Sequence, residues 1–391
     1  MNKRLYADNA ATSFPKPPGV WEAMRSYAEQ LGASAGRGAY HEAVETGELL
    51  TRCRRQLARL INAESPNQVI FTHNCSGALN QAIKGLLRSG DHVVTTTMEH
   101  NSVLRPLNSL TVDRDISVDY VQADSETGIV DLDAVIAAIR TKTRLVAVVH
   151  ASNVTGSLQP IEAIGVETRR RGIPLLVDAA QSAGHVPIDV RAMGIDLLAL
   201  PGHKGLMGPL GTGALYLRSS LENELSPLIE GGTGSASEHP IQPDFLPDKF
   251  ESGSHNAIGI AGLSAALSWV ETASIDRLHS HDQSLCAAFI ESARGVDGLT
   301  VYGPMNPRHR VAVFSVRVEG FDAAELAAAL ESEFEILTRP GIHCAPLAHR
   351  TIGTDTEGGT TRLSFGVFNT VDDVHRCVDA LSRLAAAETP A

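Results

Sequence analysis

The feature that most constrains the fold is an alternation of short apolar runs with helix-forming segments between residues 68 and 217. Parallel strands that are covered by helices on both faces give continuous apolar runs rather than a strict two-residue alternation. The pattern therefore predicts an α/β domain built on a mostly parallel sheet. The predicted strands are 68–72, 92–97, 117–121, 144–150, 173–178 and 196–200, and the predicted helices are 77–87, 102–110, 131–139 and 161–171.

The last third of the chain indicates a second unit. Residues 251–270 are rich in Ala, Leu and Gly and predict a long bridging helix. The elements predicted beyond it form an α+β arrangement: a helix to 293, a strand at 311–318, and helices at 323–334 and 371–387. At 391 residues the chain is long enough for two cores. We predict a large domain over 15–260 and a smaller C-terminal domain over 261–391, with residues 1–14 packing near the smaller one.

Composition narrows the function classes. The net charge of −12 disfavours nonspecific binding to nucleic acid or to anionic membranes, since both require a basic surface. No apolar run is long enough to span a membrane, and the opening residues lack the apolar core of a signal peptide. The five cysteines are scattered, so we expect a cytoplasmic protein with free thiols. The spacing of His150, His185 and His349 fits no usual ligand pattern, and we predict no metal.

One lysine lies in a Gly/Pro-rich hairpin between two apolar runs, in the stretch Pro201-Gly-His203-Lys204-Gly. Alone, this motif is more typical of an exposed loop lysine. A lysine shielded from water there would become a nucleophilic amine, which suits a Schiff base with an aldehyde cofactor. Upstream, Asp178 ends an apolar strand, at the place where open α/β sheets bind their ligands. A carboxylate at this position can keep a pyridine nitrogen protonated.

Other predicted strands also end in polar side chains. His100 follows the strand 92–97, and Asn153 follows the strand 144–150. The turn Cys75-Ser76-Gly77 opens a predicted helix, where unpaired N–H groups and the helix dipole favour a phosphate, although a plain serine N-cap gives the same pattern. Because the carboxyl ends of parallel strands meet at one edge of a sheet, we expect these groups to converge there.

Taken together, these stretches resemble the cysteine desulfurase and selenocysteine lyase family, class V enzymes of the fold-type-I group that depend on pyridoxal 5′-phosphate. The matches extend from Asp8 to Thr370. The resemblance implies a large domain with a mostly parallel seven-stranded sheet and a smaller C-terminal α+β domain. It implies that Lys204 holds the cofactor, that Asp178 faces the ring nitrogen, and that His100 stacks on the ring as an acid–base group. The other implied cofactor-binding residues are Cys75, Ser76, Gly77 and His203 near the phosphate, and Asn153 and Gln181 near the ring hydroxyl.

The stretch Glu251-Ser-Gly-Ser254-His-Asn resembles a family motif whose hydroxyl reaches the phosphate of a neighbouring subunit. The resemblance therefore implies a homodimer with shared sites, in which Ser254 takes that role. The chain departs from the family at two places. Pro201 replaces the serine of the family's Ser-x-His-Lys motif, and Tyr40 is inserted in the loop that resembles Arg-Gly-x-His, so that either Tyr40 or His41 could occupy the histidine position.

Cys344 decides the reaction type. Cysteine is most often a small buried hydrophobe, but a thiol in a Gly/Pro-bounded loop beside histidines can also be accessible and reactive. The stretch Arg339-Pro-Gly-Ile-His-Cys344-Ala resembles the family's persulfide-forming loop. Arg362 resembles the residue that binds the substrate carboxylate, for which a guanidinium offers two parallel hydrogen bonds. Asn153 is implied to contact the substrate as well.

The sequence thus predicts a pyridoxal-phosphate-dependent cysteine desulfurase, which converts L-cysteine to L-alanine and passes sulfur from a Cys344 persulfide to an acceptor protein or small thiol. The alternatives are a selenocysteine lyase, another carbon–sulfur lyase, or an enzyme of the class V aminotransferase type. The last two would not need Cys344. A catalytically silent scaffold that binds a sulfur acceptor is disfavoured by the intact set of site residues. A dinucleotide-dependent oxidoreductase is disfavoured because no Gly-x-Gly-x-x-Gly follows an early strand.

Overall fold

The computed structural model describes residues 4–35 and 38–388. After a short first strand, β1 (Leu5–Tyr6), the large domain is built on a seven-stranded sheet. Its strands are β2 (Val69–Thr72), β3 (His92–Thr96), β4 (Ser117–Val121), β5 (Thr143–Val149), β6 (Leu175–Asp178), β7 (Leu197–Pro201) and β8 (Gly213–Leu217). The helices of this part of the chain are α1 (Val20–Ser26), α2 (His41–Leu60), α3 (Cys75–Leu86), α4 (Asn101–Asp113), α5 (Leu132–Ala138), α6 (Ile161–Arg170) and α7 (Ala257–Ala273).

The strand order is β2-β8-β7-β6-β5-β3-β4, and β8 alone runs against its neighbours in this sheet. The prediction of a mostly parallel sheet is confirmed. Successive residues of one strand face opposite sides. In β5, Val146 and Val148 belong to the core under α2 and α7, whereas Leu145 and Ala147 belong to the core under α3 and α4. Burial on both sides explains why the strands read as unbroken apolar runs.

The smaller domain has a four-stranded antiparallel sheet in the order β12-β13-β10-β9. Its strands are β9 (Leu299–Tyr302), β10 (Val313–Val318), β12 (Arg339–Gly341) and β13 (Thr360–Ser364), and β11 (Ile336–Leu337) pairs in parallel with β1. Its helices are α8 (Ile275–Ala293), α9 (Ala323–Phe334), α10 (Pro346–Thr351) and α11 (Val371–Glu388). Phe289 stacks on Phe314 with ring centroids 3.8 Å apart, and Leu5 and Ala7 of the first segment join this core.

The predicted helix at 251–270 starts too early. The observed α7 begins after Asn256, whose side-chain oxygen accepts from Gly259 N at 3.0 Å and caps the helix. Glu251 lies outside the helix because its carboxylate forms a buried, bidentate ion pair with Arg54, with N–O distances of 2.7 and 2.9 Å. Arg54 and Glu251 are far apart in the sequence, so no local pattern around residue 251 indicates that this ion pair keeps the residue out of the helix.

The predicted domain boundary at 260/261 falls inside α7. Ile260, Leu263 and Leu267 all pack in the core of the large domain, whereas α8 packs in the core of the smaller one. The chain bends at Ser274, where the backbone has a positive φ of 69°, and Leu278 in the first turn of α8 still packs against Val270 of α7. Packing against the smaller domain begins at Leu285.

No single helix of the described segments meets the length and hydropathy expected of a membrane span, although α7 and α8, bent by 80°, meet it as a pair. Within residues 4–35 and 38–388, no group of three His, Cys, Asp or Glu side chains is arranged to hold a metal ion.

Candidate active site

A cavity opens at the edge of the large sheet where the parallel strands end. Residues after β2, β3, β5, β6 and β7 all contribute to its wall, as expected for an open α/β sheet. Most of the predicted site residues meet here, namely Cys75, Ser76, His100, Asn153, Asp178, Gln181, His203 and Lys204, together with Pro201.

Lys204 lies in the hairpin between β7 and β8, where the chain packs closely against its neighbours. The next residue must be small, because a Cβ at Gly205 would clash with the Ala183 carbonyl and the His185 ring. Burial lowers the pKa of Lys204, although the carboxylate of Asp178 opposes the shift. The amine is therefore more readily deprotonated than an exposed lysine, which is what a nucleophilic amine requires.

Asp178 ends β6 with its side chain directed into the cavity. Oδ1 accepts from Ala180 N at 2.9 Å and from the Cys75 thiol at 3.4 Å. Burial raises the pKa of Cys75 well above its usual value, and Asp178 adds to the shift, so that this cysteine stays a thiol. Cys75 therefore serves as a donor that orients the carboxylate.

His100 caps α4, because its Nδ1 accepts from Ser102 N at 3.0 Å. Burial lowers the pKa of His100 to about 4, so the imidazole is neutral at pH 7, and because Nδ1 is the acceptor, Nε2 carries the proton. Ser102 also joins the first turns of two helices, since its hydroxyl lies 2.6 Å from the hydroxyl of Ser76 on α3.

His203 lies at the other end of the cavity. Its carbonyl oxygen accepts from the Thr12 hydroxyl at 3.1 Å, from Ser13 N at 3.0 Å and from Lys16 Nζ at 3.0 Å, so the segment before α1 fixes this residue. Its Nδ1 is buried and has no hydrogen-bond partner among the described residues. Gln181 is fixed by the same segment, because its Nε2 donates to the Ala10 carbonyl at 2.9 Å.

Asn153 and Arg362 connect the cavity to the smaller domain. Arg362 Nη1 donates to the Asn153 carbonyl at 3.2 Å, and Nη2 forms an ion pair with Asp8 Oδ1 at 2.7 Å. The side-chain Oδ1 of Asn153 and the Nε of Arg362 are buried, and neither has a hydrogen-bond partner within the described ranges. Both atoms remain available to a ligand that carries polar groups.

Cys344 is exposed and lies in a groove whose wall it shares with Ser76 and His100. Two contacts hold its loop against the large domain: Asn101 N donates to the Cys344 carbonyl at 2.7 Å, and Asn153 Nδ2 donates to the carbonyl of His343 at 2.7 Å. Both His343 and Cys344 have positive φ, at 51° and 59°. Non-glycine residues adopt this conformation only where the surroundings enforce it.

A series of hydrogen bonds through His343, His349 and Thr354 also fixes the Cys344 loop. His343 Nε2 must donate to the Arg339 carbonyl at 3.0 Å, which leaves its Nδ1 as an acceptor. His349 Nε2 lies 3.2 Å from that Nδ1 and donates to it, so His349 Nδ1 accepts from the Thr354 hydroxyl at 2.8 Å. Burial lowers the pKa of His343 to about 2 and that of His349 to about 4, so both rings are neutral.

Two predicted cofactor residues lie outside the cavity. Gly77 and the exposed Ser254 line a neighbouring groove, and the N–H of Gly77 is already bonded to Asn74 Oδ1 at 2.8 Å. Tyr40 and His41 are also exposed and lie at the start of α2, outside the cavity. Gly36 and Arg37 of the same predicted loop lie outside the described residues.

Sequence reasoning missed two charged neighbours of Arg362. Arg339 pairs with Arg362 across β12 and β13, so both guanidinium groups are on one face of the sheet, and Arg339 Nη2 lies 3.7 Å from Cys344 Sγ. Asp8 comes from the opposite end of the chain. The signal for Arg339 was its place in the same short motif as Cys344, whereas nothing local indicated the pairing of Asp8.

Known proteins with the same architecture place the chain in a family. Residues 5–377 match the model of the class-V aminotransferases. Over 98% of its length, the chain is 36% identical to a probable cysteine desulfurase from Methanothermobacter thermautotrophicus, of which 96% is covered. Over 97% of its length, it is 34% identical to a probable cysteine desulfurase from Pyrococcus abyssi, of which 94% is covered.

Among solved structures, an apo cysteine desulfurase from Thermococcus onnurineus NA1 is similar, with a TM-score of 0.92 and 32% sequence identity. The similarity covers 99% of this chain and 96% of that one. The chain therefore belongs to the class-V aminotransferase family. The resemblance to the cysteine desulfurases within that family, which the motifs predicted, is confirmed.

Proposed function

We propose that this protein is a cysteine desulfurase, which converts L-cysteine to L-alanine and retains the sulfur as a persulfide on Cys344. The observation that carries the proposal is the position of Cys344. Its thiol is exposed, and its loop is held against the site by Asn101 and Asn153. The relatives named as cysteine desulfurases support the same reaction.

The residues of the cavity fit pyridoxal 5′-phosphate. Lys204 supplies a buried amine of lowered pKa for the covalent link, and Asp178 supplies a carboxylate for the ring nitrogen. The unpartnered Nδ1 of His203 and Oδ1 of Asn153 are suited to the phosphate and to the ring hydroxyl. The family motif would supply a serine hydroxyl at position 201, but this chain has Pro201 there. Ser76, at the start of α3, lines the same cavity and provides a hydroxyl in its place. When bound, the cofactor supplies an electron sink for the carbanion at the substrate's Cα.

The protein's own groups bind the substrate and move its protons. Arg362 binds the carboxylate of L-cysteine through its free Nε, with Arg339 on the same face of the sheet as a second positive charge. The Lys204 amine, whose pKa burial lowers, accepts the proton from Cα, and the neutral imidazole of His100 holds a proton beside it. Positioning these groups around one substrate contributes much of the acceleration that the protein adds.

Sulfur transfer uses Cys344. Its thiolate forms a bond to the sulfur of the substrate while the bond between that sulfur and Cβ breaks. The electron pair of the broken bond stays with the substrate, whose Cβ takes up a proton and becomes the methyl group of alanine. One thiol and one cysteine thus give one persulfide and one alanine, with no external oxidant.

We also propose that the protein is a homodimer in which Ser254 completes the neighbouring subunit's site. Ser254 is exposed and lines a groove that also contains Gly77 at the start of α3. Apolar side chains of the same region, among them Ile229 and Ile241, are exposed to 67% and 76% in the isolated chain. Apolar surface next to a site residue is typical of a subunit contact.

A selenocysteine lyase remains the second candidate, because the same residues would act on a substrate with selenium in place of sulfur. Incubation with L-cysteine and with L-selenocysteine, followed by measurement of alanine, sulfide and selenide, separates the two. A selenide yield far above the sulfide yield, with no protein persulfide, would favour the lyase.

Substitution of Cys344 by Ser tests the main proposal. We expect alanine formation from L-cysteine to fall by roughly a hundredfold or more, because the acceptor of the sulfur is lost. Exchange of the Cα proton for deuterium should persist, since it depends on Lys204. That exchange is the internal control for folding and cofactor binding, and Lys204→Ala should lose both activities. Full alanine formation by the Cys344→Ser variant would show that the enzyme is another kind of carbon–sulfur lyase.

A further inference from the structure

An open groove runs between α3 and α4, outside the cavity, and Cys344 lies in its wall. We call it the α3–α4 groove and define it by Asn80, Lys84, Asn101, Arg105 and Cys344. It leads toward the site, because Ser76 and His100 line both the groove and the cavity.

The helical spacing explains why this face is polar. Ser76, Asn80 and Lys84 follow one another at intervals of four residues along α3, and Asn101 and Arg105 do the same on α4. Residues four apart lie on one side of a helix. The two helices are joined at their first turns through Ser76 and Ser102, so the two polar faces border one channel.

The groove carries two free positive charges. Neither Lys84 nor Arg105 has an ion pair or a side-chain hydrogen bond to any residue within 4–35 and 38–388. The first turn of α4, which lines the groove at Asn101, adds the positive end of a helix dipole. The whole chain has a net charge of −12, so this positive channel beside an exposed thiol contrasts with the rest of the protein.

We propose that the α3–α4 groove binds a small thiol that carries a carboxylate, and that this thiol accepts the sulfur from Cys344. The acceptor role of this thiol rests on the proposed function, whereas the binding of a carboxylate in the groove does not. The shape favours a small acceptor, because Cys344 lies between His343, which is 3% exposed, and Ala345, which is 0% exposed. Its thiol is thus set into the wall of the groove rather than carried on a projecting loop.

The transfer is a thiol exchange without net oxidation. The acceptor's thiolate attacks the outer sulfur of the Cys344 persulfide, and a new sulfur–sulfur bond forms as the old one breaks. Cys344 leaves as a thiolate, and the proton of the persulfide stays with the transferred sulfur. Lys84 and Arg105 act by attracting the carboxylate, which raises the local concentration of the acceptor.

The first arm of the test compares two acceptors that differ only in charge, 3-mercaptopropionate and its amide 3-mercaptopropanamide. The holoenzyme is loaded with L-cysteine, and the rate of persulfide discharge is measured with each thiol. At low ionic strength we expect Lys84→Gln and Arg105→Gln together to lower the carboxylate-to-amide rate ratio by about fivefold, and salt to lower it in the wild-type protein. Lys142→Gln, at an exposed turn before β5, is the matched control and should leave the ratio unchanged.

The second arm does not depend on desulfurase activity. Cys344 of the holoenzyme is alkylated with iodoacetate and with iodoacetamide, and the ratio of the two rates is compared between wild type, the Lys84→Gln/Arg105→Gln variant and Lys142→Gln. A ratio that falls only in the double variant supports an anion-binding groove, and an unchanged ratio overturns it. If the alkylation ratio falls while the ratio of the transfer rates does not, the acceptor role is wrong. If the wild type forms no persulfide, the proposed function fails, and the alkylation arm still decides whether the groove binds anions.

Discussion

The carboxyl group of Glu99 is fully buried between the end of β3 and the start of the next turn. Its Oε1 accepts from the Thr96 hydroxyl at 2.7 Å and from Val149 N at 3.0 Å, whereas Oε2 has no partner in the described structure. Burial raises the pKa of Glu99 from 4.5 to about 8, and the nearby Asp178 adds to the shift. The residue is therefore a neutral acid at pH 7, directly before His100 in the chain.

This pKa predicts how stability depends on pH. Between pH 4.5 and about 8 the folded protein holds a proton on Glu99 that the unfolded chain has lost. The free energy of unfolding should therefore fall with rising pH in this window, by about 1.4 kcal/mol per pH unit from this group. Glu99→Gln keeps the shape and the two accepted hydrogen bonds but cannot ionise, so it should remove that share of the slope.

Chemical denaturation of the holoenzyme at several pH values between 5 and 8 checks the prediction, with wild type and Glu99→Gln measured side by side. Glu126→Gln, at an exposed position in the same domain, is the control and should keep the wild-type slope. If the Glu99→Gln protein also keeps that slope, Glu99 does not hold its proton in the folded state.

At the scale of elements, the loop between β12 and α10 depends on one hydroxyl. Thr354→Val keeps the shape of the side chain but removes the hydroxyl that donates to His349 Nδ1. That hydrogen bond is the first of the series that runs through His349 to His343. A buried acceptor without a partner should cost about 1–3 kcal/mol of unfolding free energy. We expect kcat for alanine formation to fall by several-fold because the Cys344 loop loosens, while KM for L-cysteine changes less because Arg362 is untouched.

Denaturation and steady-state kinetics of the Thr354→Val protein measure both effects. Thr300→Val, at an exposed position on β9, is the matched control and should alter neither quantity. Equal losses in kcat and stability for both variants, or none for Thr354→Val, would show that the histidine chain does not position Cys344.

The elements that were predicted best from the sequence are those whose ends are set by residues next to them in the chain. The ends of β3, β5, β6 and β7 were close to their observed positions because an apolar run is followed by polar residues at each of them. The start of α7 and the ion pair of Asp8 with Arg362 were missed because they depend on partners hundreds of residues away. The motif around Cys344 indicated its chemistry, but only the structure shows that Arg339 and Arg362 are neighbours on one face.

At the scale of the whole molecule, the proposed dimer predicts the behaviour of the protein in solution. Ile229→Asp together with Ile241→Asp would place charges in the exposed apolar region, where they would be desolvated at a subunit contact. We expect wild type to sediment as a dimer and the double variant as a monomer with weakened cofactor retention, because the partner's Ser254 would be lost. Val112→Asp, at an exposed apolar position on α4, is the control. A monomeric, fully active wild type would contradict the proposal.

The segment ahead of α1 belongs to both lobes at once. It contributes a strand that pairs with β11 and apolar side chains to the smaller lobe, a counter-ion to Arg362, and donors to the His203 carbonyl in the larger one. A shortened version that begins at α1 would therefore lose these contacts between the lobes and leave the Arg362 guanidinium without its carboxylate. An affinity tag for purification or immobilisation should therefore leave residues 5–13 unchanged and should not be inserted within them.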